Sequence, residues 1–207
     1  MTGALIVIAK EPAPGRSKTR LSPPLTAEAA ADLAAASLAD TLAAAATCPA
    51  RRRVLALDGA PGDWVPPGFE VIPQRGAGLD ERLASAFADV AETALLIGMD
   101  TPQVTPALLA AGLRALMRPG TDAVLGPALD GGYWAVGLRR SRRELFLGVP
   151  MSSPSTFDAQ LARLRGAGLR VRLLPPLRDV DLIEDARAVA GMAPASRFAE
   201  AFGSLAA

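Results

Sequence analysis

Histidine is absent from all 207 residues of the chain. The commonest general base of enzymes and every imidazole-ligated metal are therefore excluded. Cysteine occurs once, at Cys48, which rules out an intrachain disulfide and a thiolate zinc site. No apolar run reaches the ~18 residues of a membrane span, and because the strand-like pattern begins within a few residues of Met1 the expectation is that no signal peptide is present. The formal net charge is only +1, too small for bulk nucleic-acid binding. The expectation is a cytoplasmic protein with no nucleic-acid or membrane partner. Lysine is almost missing too: of twenty-two basic residues only Lys10 and Lys18 are not arginine. Chemistry in such a chain must rest on carboxylates, fixed positive charge and an oxygen-bound metal.

The length suits a single domain over 1–207 with a substantial core. Its first apolar run, Ala4-Leu5-Ile6-Val7-Ile8, ends in Ala9-Lys10-Glu11-Pro12-Ala13-Pro14-Gly15-Arg16-Ser17-Lys18-Thr19-Arg20-Leu21. A buried strand opening into a Pro/Gly-rich basic loop is where open α/β sheets bind ligands. Both lysines lie here, compact three-donor charges on flexible stems, and phosphate is the expected ligand of an exposed loop so equipped. The spacing is not that of a Walker loop, since Gly15 and Lys18 are separated by two residues, and no GxGxxG occurs. A solvated basic loop is the plain alternative.

Further along, Thr26 predicts the cap of an Ala/Leu-rich helix to about Ala46 with Leu33, Leu38 and Leu42 on its apolar face. Strands are predicted at 53–57, 69–72, 94–99, 122–126, from Tyr133, and at 169–174, with helices from Leu79 to about Ala91, from Pro106, from about Phe157 to Gly166, and beyond Asp185. Ser155 and Asp158 are spaced as a capping box. The tail from Pro194 to Ala207 reads as an amphipathic helix anchored by Phe198 and Phe202. The short clusters Arg51–Arg53 and Arg139–Arg143 read as solvated element ends.

Three stretches carry chemistry. Asp100, after the fully apolar Ala94–Met99 run, is placed to hold a divalent cation against a phosphate, or else to cap the next helix. Asp130-Gly131-Gly132-Tyr133 is either a tight turn or the floor of an acceptor pocket, its glycines permitting close backbone approach. Asp179-Val180-Asp181 puts two carboxylates on one side of an extended segment, suiting Mg²⁺ or Mn²⁺. Together with Glu184 and Asp185 it equally suits a helix N-terminus. Gln74, in the loop Pro73–Gly78, offers an amide to a nucleobase, or else the stretch is a plain glycine-rich loop before the next helix.

In this order, the Lys10–Leu21 loop, Gly98-Met99-Asp100-Thr101-Pro102, Gly126-Pro127-Ala128-Leu129-Asp130-Gly131-Gly132-Tyr133 and Asp179-Val180-Asp181 resemble a bacterial family of small GT-A-fold nucleotide-diphospho-sugar transferases. The family includes a branch linked to arsenosugar biosynthesis and is related to small nucleotidyltransferases. The resemblance implies a Rossmann-like three-layer α/β/α sandwich of GT-A type with a mostly parallel sheet. It implies a nucleotide or nucleotide-sugar donor, a small-molecule acceptor and a Mg or Mn cofactor. Lys10, Gly15, Arg16, Lys18, Arg20 and Gln74 would bind the nucleotide and its phosphates. Asp100, Asp181 and Asp179 would hold the metal, Asp130, Gly131, Gly132 and Tyr133 would face the acceptor, and Lys18, Asp100 and Asp130 would be catalytic. Two positions depart from the relatives: Gly78-Leu79-Asp80 stands where Asp-Leu-Gly is common, and Met151 where tryptophan is common. The expected activity is glycosyl transfer from a nucleotide sugar, with nucleotidyl transfer releasing pyrophosphate, or silent nucleotide binding, as alternatives.

Overall fold

The computed structural model describes residues 3–205. Seven strands form one sheet: β1 (Ala4–Lys10), β2 (Arg52–Asp58), β3 (Phe69–Pro73), β4 (Ala94–Ile97), β5 (Ala123–Pro127), β6 (Tyr133–Leu138) and β7 (Val171–Leu173). Their order is β3-β2-β1-β4-β6-β5-β7, and β6 alone runs antiparallel to its neighbours. The helices are α1 (Ala27–Thr47), α2 (Leu79–Val90), α3 (Pro106–Met117), α4 (Thr156–Gly166), α5 (Ile183–Met192) and α6 (Arg197–Ser204). This is the three-layer α/β/α arrangement of GT-A type with a mostly parallel sheet.

The uninterrupted apolar strands are explained by period-two alternation between two buried faces. Leu5, Val7, Leu55, Leu57, Leu95 and Ile97 meet α1 and α3 on one face. Ala4, Ile6, Val54, Ala56 and Leu96 meet Phe87 of α2 and Leu161 and Leu164 of α4 on the other. Gly126 leaves room between the layers. A Cβ there would stand 2.5 Å from the indole nitrogen of Trp134, which donates at 3.0 Å to the Pro175 carbonyl.

α1 is buried along two stripes, which is why its alanines leave so little contrast between faces. Ala34, Leu38, Leu42 and Ala45 pack on the sheet, while Ala30 and Leu33 join a third cluster with Leu21, Val180, Ala186, Val189 and Phe198. By length and composition α1 is apolar enough to cross a membrane, although interrupted by Asp32 and Asp40. Here its leucines are core residues. Asp40 accepts from the backbone N–H groups of Arg197 and Phe198, at 3.2 and 2.9 Å, and so caps α6 from a distance. Thr26 caps α1 as expected, and Thr105, not Asp100, caps α3.

Several boundaries differ from the sequence reading. β4 ends at Ile97, two residues short of the expected boundary, with one last bond from the Gly98 N–H to the Trp134 carbonyl of β6 at 3.2 Å. β7 is an edge strand of three residues. The Ser155–Asp158 capping box does not form; the Ser155 N–H instead donates to Ser153 Oγ at 3.3 Å. The predicted C-terminal helix is α6, with Phe198 fully buried and stacked on Phe202, while Ala206 and Ala207 lie outside the described residues.

Phe198 seats α6 and closes the cluster that holds Val180 and Leu21. Phe198→Ala should lower folding stability by about 3–5 kcal/mol, measured from denaturant unfolding. A loss below ~1 kcal/mol would mean that α6 is not part of the cooperative core.

Candidate functional site

β1 pairs with β2 on one side and β4 on the other, so the chain crosses over between the two halves of the sheet at the carboxyl ends of β1 and β4. Because β6 is antiparallel, its amino end sits at this same edge, with Ala135 opposite Ile97. Topology alone thus brings the β1 loop, Asp100 and the Asp130–Tyr133 turn together. They line a cavity of about 900 Å³ with the Asp179–Asp181 segment and the stretch from Met151 to Thr156.

One wall is basic, with Lys10, Arg16, Lys18 and Arg20. Lys10 and Arg16 are exposed. Arg20 pairs with Asp181 at 2.8 Å. Lys18 is not the exposed loop charge that the sequence suggests. Its side chain is 6% exposed, its backbone is left-handed (φ 51), and its ammonium meets Asp100 Oδ1 at 2.5 Å and donates to the Val180 carbonyl. Gly15 adopts φ 71 at the tip of the loop, a conformation glycine adopts without a Cβ penalty, but it is not among the lining residues.

The cavity is also lined by acidic residues. Carboxylate oxygens of Asp130, Asp179 and Asp181 lie within 4.8 Å of one another. Asp100 is the expected ligand that stands apart, engaged by Lys18; Asp130, expected only as a catalytic and acceptor-facing residue, takes its place in the cluster. The acidic stretch divides its two proposed roles. Asp185 serves the helix, its Oδ2 accepting from the Leu182 N–H at 2.9 Å while Oδ1 pairs with Arg178 at 2.7 Å. Asp179 and Asp181 face the cavity, because the residue between them, Val180, is fully buried in the third cluster.

The Asp130 turn is shaped for close approach. The Gly132 N–H donates to Asp130 Oδ1 at 2.7 Å, and Gly131, at φ 92, sits where a Cβ would collide with the Pro154 carbonyl. Tyr133 lies beside it with its hydroxyl 3.3 Å from Gln160 Oε1. Burial, and secondly the charge of Asp80, hold its phenol above the ordinary value, so it is a proton-bearing donor. Gln74 does not reach the cavity. Its amide nitrogen donates to the Ala9 and Ala56 carbonyls, at 2.7 and 3.0 Å, and so ties β1 to β2. The run Ser152-Ser153-Pro154 with Thr156 is a wall that the sequence does not announce; its dense hydroxyls are legible, but they read as a helix start.

With this geometry in hand, similarity to other proteins is informative. The family described as "Uncharacterized protein conserved in bacteria (DUF2064)" matches residues 25–153. The chain belongs to this family. No functionally curated protein matches it. The DUF2064 chain is similar to the crystal structure of a candidate nucleotide-diphospho-sugar transferase from Desulfovibrio desulfuricans G20. The two are 27% identical with a TM-score of 0.85 over 99% of this chain and 94% of that one. Lower similarity extends to 2-C-methyl-D-erythritol 4-phosphate cytidylyltransferase from Thermus thermophilus, 18% identical with a TM-score of 0.57 over 93% and 98% of the two chains. The manganese complex of Rv0371c from Mycobacterium tuberculosis H37Rv is 22% identical, with a TM-score of 0.52 over 91% and 97%. These last two likenesses establish fold only. The DUF2064 chain is thus built on the nucleotide-diphospho-sugar transferase fold.

The crowding of carboxylates has a titration consequence. Asp179 is pushed up from 3.8 to about 6, by burial first and then by the negative charges of Asp130 and Asp181, with Lys18 opposing. The folded state therefore holds a proton that the unfolded chain releases, and stability from this group falls as pH rises from about 4 to about 6. The stability of Asp179→Asn relative to the unsubstituted protein should rise across that window and level off above it, as read by urea unfolding in metal-free buffer. A difference independent of pH would show that Asp179 is not repelled by its neighbours.

Proposed function

We propose that the protein is a divalent-cation-dependent glycosyltransferase that takes a nucleotide sugar as donor and a small hydroxylated molecule as acceptor. One observation carries this reading: a single cavity is lined both by the exposed cations Lys10 and Arg16 and by three converging carboxylates. The likeness to the Desulfovibrio protein supports the donor class.

The three carboxylates fit a hard cation such as Mg²⁺ or Mn²⁺. They offer only oxygen, they come from two separate loops, and their oxygens converge within 4.8 Å. When bound, the cation would supply positive charge against the departing diphosphate. Lys10 and Arg16 bring the rest of that charge, as fixed groups that need no rearrangement as negative charge builds on the leaving group. Gly15 lets the loop turn. Tyr133 offers a ring face for a sugar to stack on, and the Gly131–Gly132 backbone leaves room beside it. Asp130 would accept a hydrogen bond from the acceptor hydroxyl and repel an anionic acceptor, which favours glycosyl over nucleotidyl transfer. In the reaction the bond from the sugar anomeric carbon to the diphosphate oxygen breaks. A bond from that carbon to the acceptor oxygen forms, and the hydroxyl proton is released. Residues 1–207 would act as one transferase domain.

With Mn²⁺ present, incubation with nucleotide sugars should release a nucleoside diphosphate, detected by coupled assay or chromatography. Asp181→Asn and Asp130→Asn should each abolish the Mn²⁺-dependent release. Pyrophosphate formed from a nucleoside triphosphate and a sugar phosphate, with no diphosphate from any nucleotide sugar, would assign nucleotidyl transfer instead.

A further inference from the structure

Lys18 stands out among the cavity residues because its charge is already engaged inside the protein. The ammonium bridges two loops that are distant in sequence, contacting Asp100 Oδ1 after β4 and the Val180 carbonyl between Asp179 and Asp181. A second tie runs in parallel: the Val180 N–H donates to the Asp100 carbonyl at 2.9 Å. On the far side Val180 is gripped by Leu21 and α1, so the residue is held by both its peptide groups and its side chain. Asp100 is held in turn, since the Met99 carbonyl before it accepts from the fully buried Ser37 hydroxyl at 2.6 Å. With the side chain of residue 180 turned inward, the two flanking carboxylates of an extended segment point the other way, toward Asp130.

We infer that Lys18 is a positioning residue for the carboxylate cluster: its buried ammonium fixes the Asp179-Val180-Asp181 segment against Asp100 so that Asp179 and Asp181 converge with Asp130. This rests on the reading of that cluster as the cation site. It assigns Lys18 a role other than phosphate contact, and the two roles differ in the sign of one measurable effect.

Lys18 is a positive charge close to three negative ones, and it opposes the proton uptake of Asp179. If its influence on a bound cation were only electrostatic, removing it would tighten cation binding. If it positions the carboxylates, removing it loosens cation binding although the local charge has become more favourable. Groups that orient first-contact ligands typically change metal affinity by about 10- to 100-fold when substituted. Lys18→Met retains the length and apolar stem and loses the ammonium, while Lys18→Arg retains the charge but not the compact head that fits between a carboxylate oxygen and a carbonyl.

The experiment measures Mn²⁺ affinity without nucleotide, by calorimetry or by the electron paramagnetic resonance of free Mn²⁺, for the unsubstituted protein, Lys18→Met, Lys18→Arg and Asp181→Asn. Circular dichroism and thermal unfolding confirm that each variant is folded. Positioning requires Lys18→Met to bind Mn²⁺ at least about tenfold more weakly, with Lys18→Arg failing to restore the affinity. Equal or tighter binding by Lys18→Met, with weaker nucleotide binding, would overturn the inference and return Lys18 to the phosphates. Absence of Mn²⁺ binding by the unsubstituted protein is a separate failure, that of the cation site itself. Should Lys18→Met prove unfolded, the Ser37→Ala variant tests the same scaffold from the Asp100 side, where a loss of Mn²⁺ affinity supports the inference and unchanged affinity overturns it.

Discussion

The ammonium of Lys18, almost wholly removed from water, is the point on which the site closes. Burying such a charge costs several kcal/mol unless hydrogen bonds and an opposite charge replace its hydration. Asp100 and the Val180 carbonyl provide both, and the net gain in stability is small. What the arrangement gains is definition. Three segments, ending β1, following β4 and preceding α5, are connected only through the sheet by chain topology, yet they are held to one geometry at the cavity. The left-handed backbone of Lys18, unusual for a residue with a side chain, is tolerated because these contacts over-determine it.

The same logic distributes the carboxylates. Asp181 has Arg20 beside it and Asp100 has Lys18, whereas burial raises Asp179 among its acidic neighbours. Two of the four cations on the basic wall are thus occupied by acidic partners, and Lys10 and Arg16 are the exposed remainder. The cavity lining thus carries both exposed positive charge and clustered negative charge. An anion and a cation bound together match that distribution better than either alone.

Much of this was legible in the chain. The central strands announced themselves, because burial on both sheet faces demands apolar residues at almost every position, and Thr26 marked a helix start by local hydrogen bonding. That Asp100 and the Asp179–Asp181 pair line one cavity was legible because strand ends and alternation are local properties, but not that Asp100 meets Lys18 and stands apart from the carboxylate cluster. Asp130 as a partner of that pair was not legible. Its convergence depends on β6 running antiparallel and on a turn closing against Pro154, both set by contacts between distant segments. Gln74 misled for the same reason: an amide in a glycine-rich loop has the same sequence whether it meets a base or two backbone carbonyls. Lys18 misled most, since nothing in a basic loop says which charge turns inward.

Arginine's placement explains why lysine is confined to this loop. Arg53 donates to the Ala45 and Cys48 carbonyls at the end of α1, at 3.0 and 2.7 Å, and Arg139 to the Leu116 and Arg118 carbonyls at the end of α3, at 2.8 and 2.7 Å. Both residues come from clusters that read as merely solvated, and both spread a planar fork over carbonyls at a helix C-terminus, where positive charge is favourable. Arg52 grips Glu70 with two nitrogens, as Arg170 does Asp122. Every one of these tasks needs a wide, flat donor set at or near the surface. Position 18 needs the reverse: a compact head reaching one carboxylate oxygen and one carbonyl inside a narrow gap, where a guanidinium would push the loops apart. In a chain that answers almost every demand for positive charge with arginine, the buried lysine marks a place where the size of the charged group, and not only its sign, is constrained.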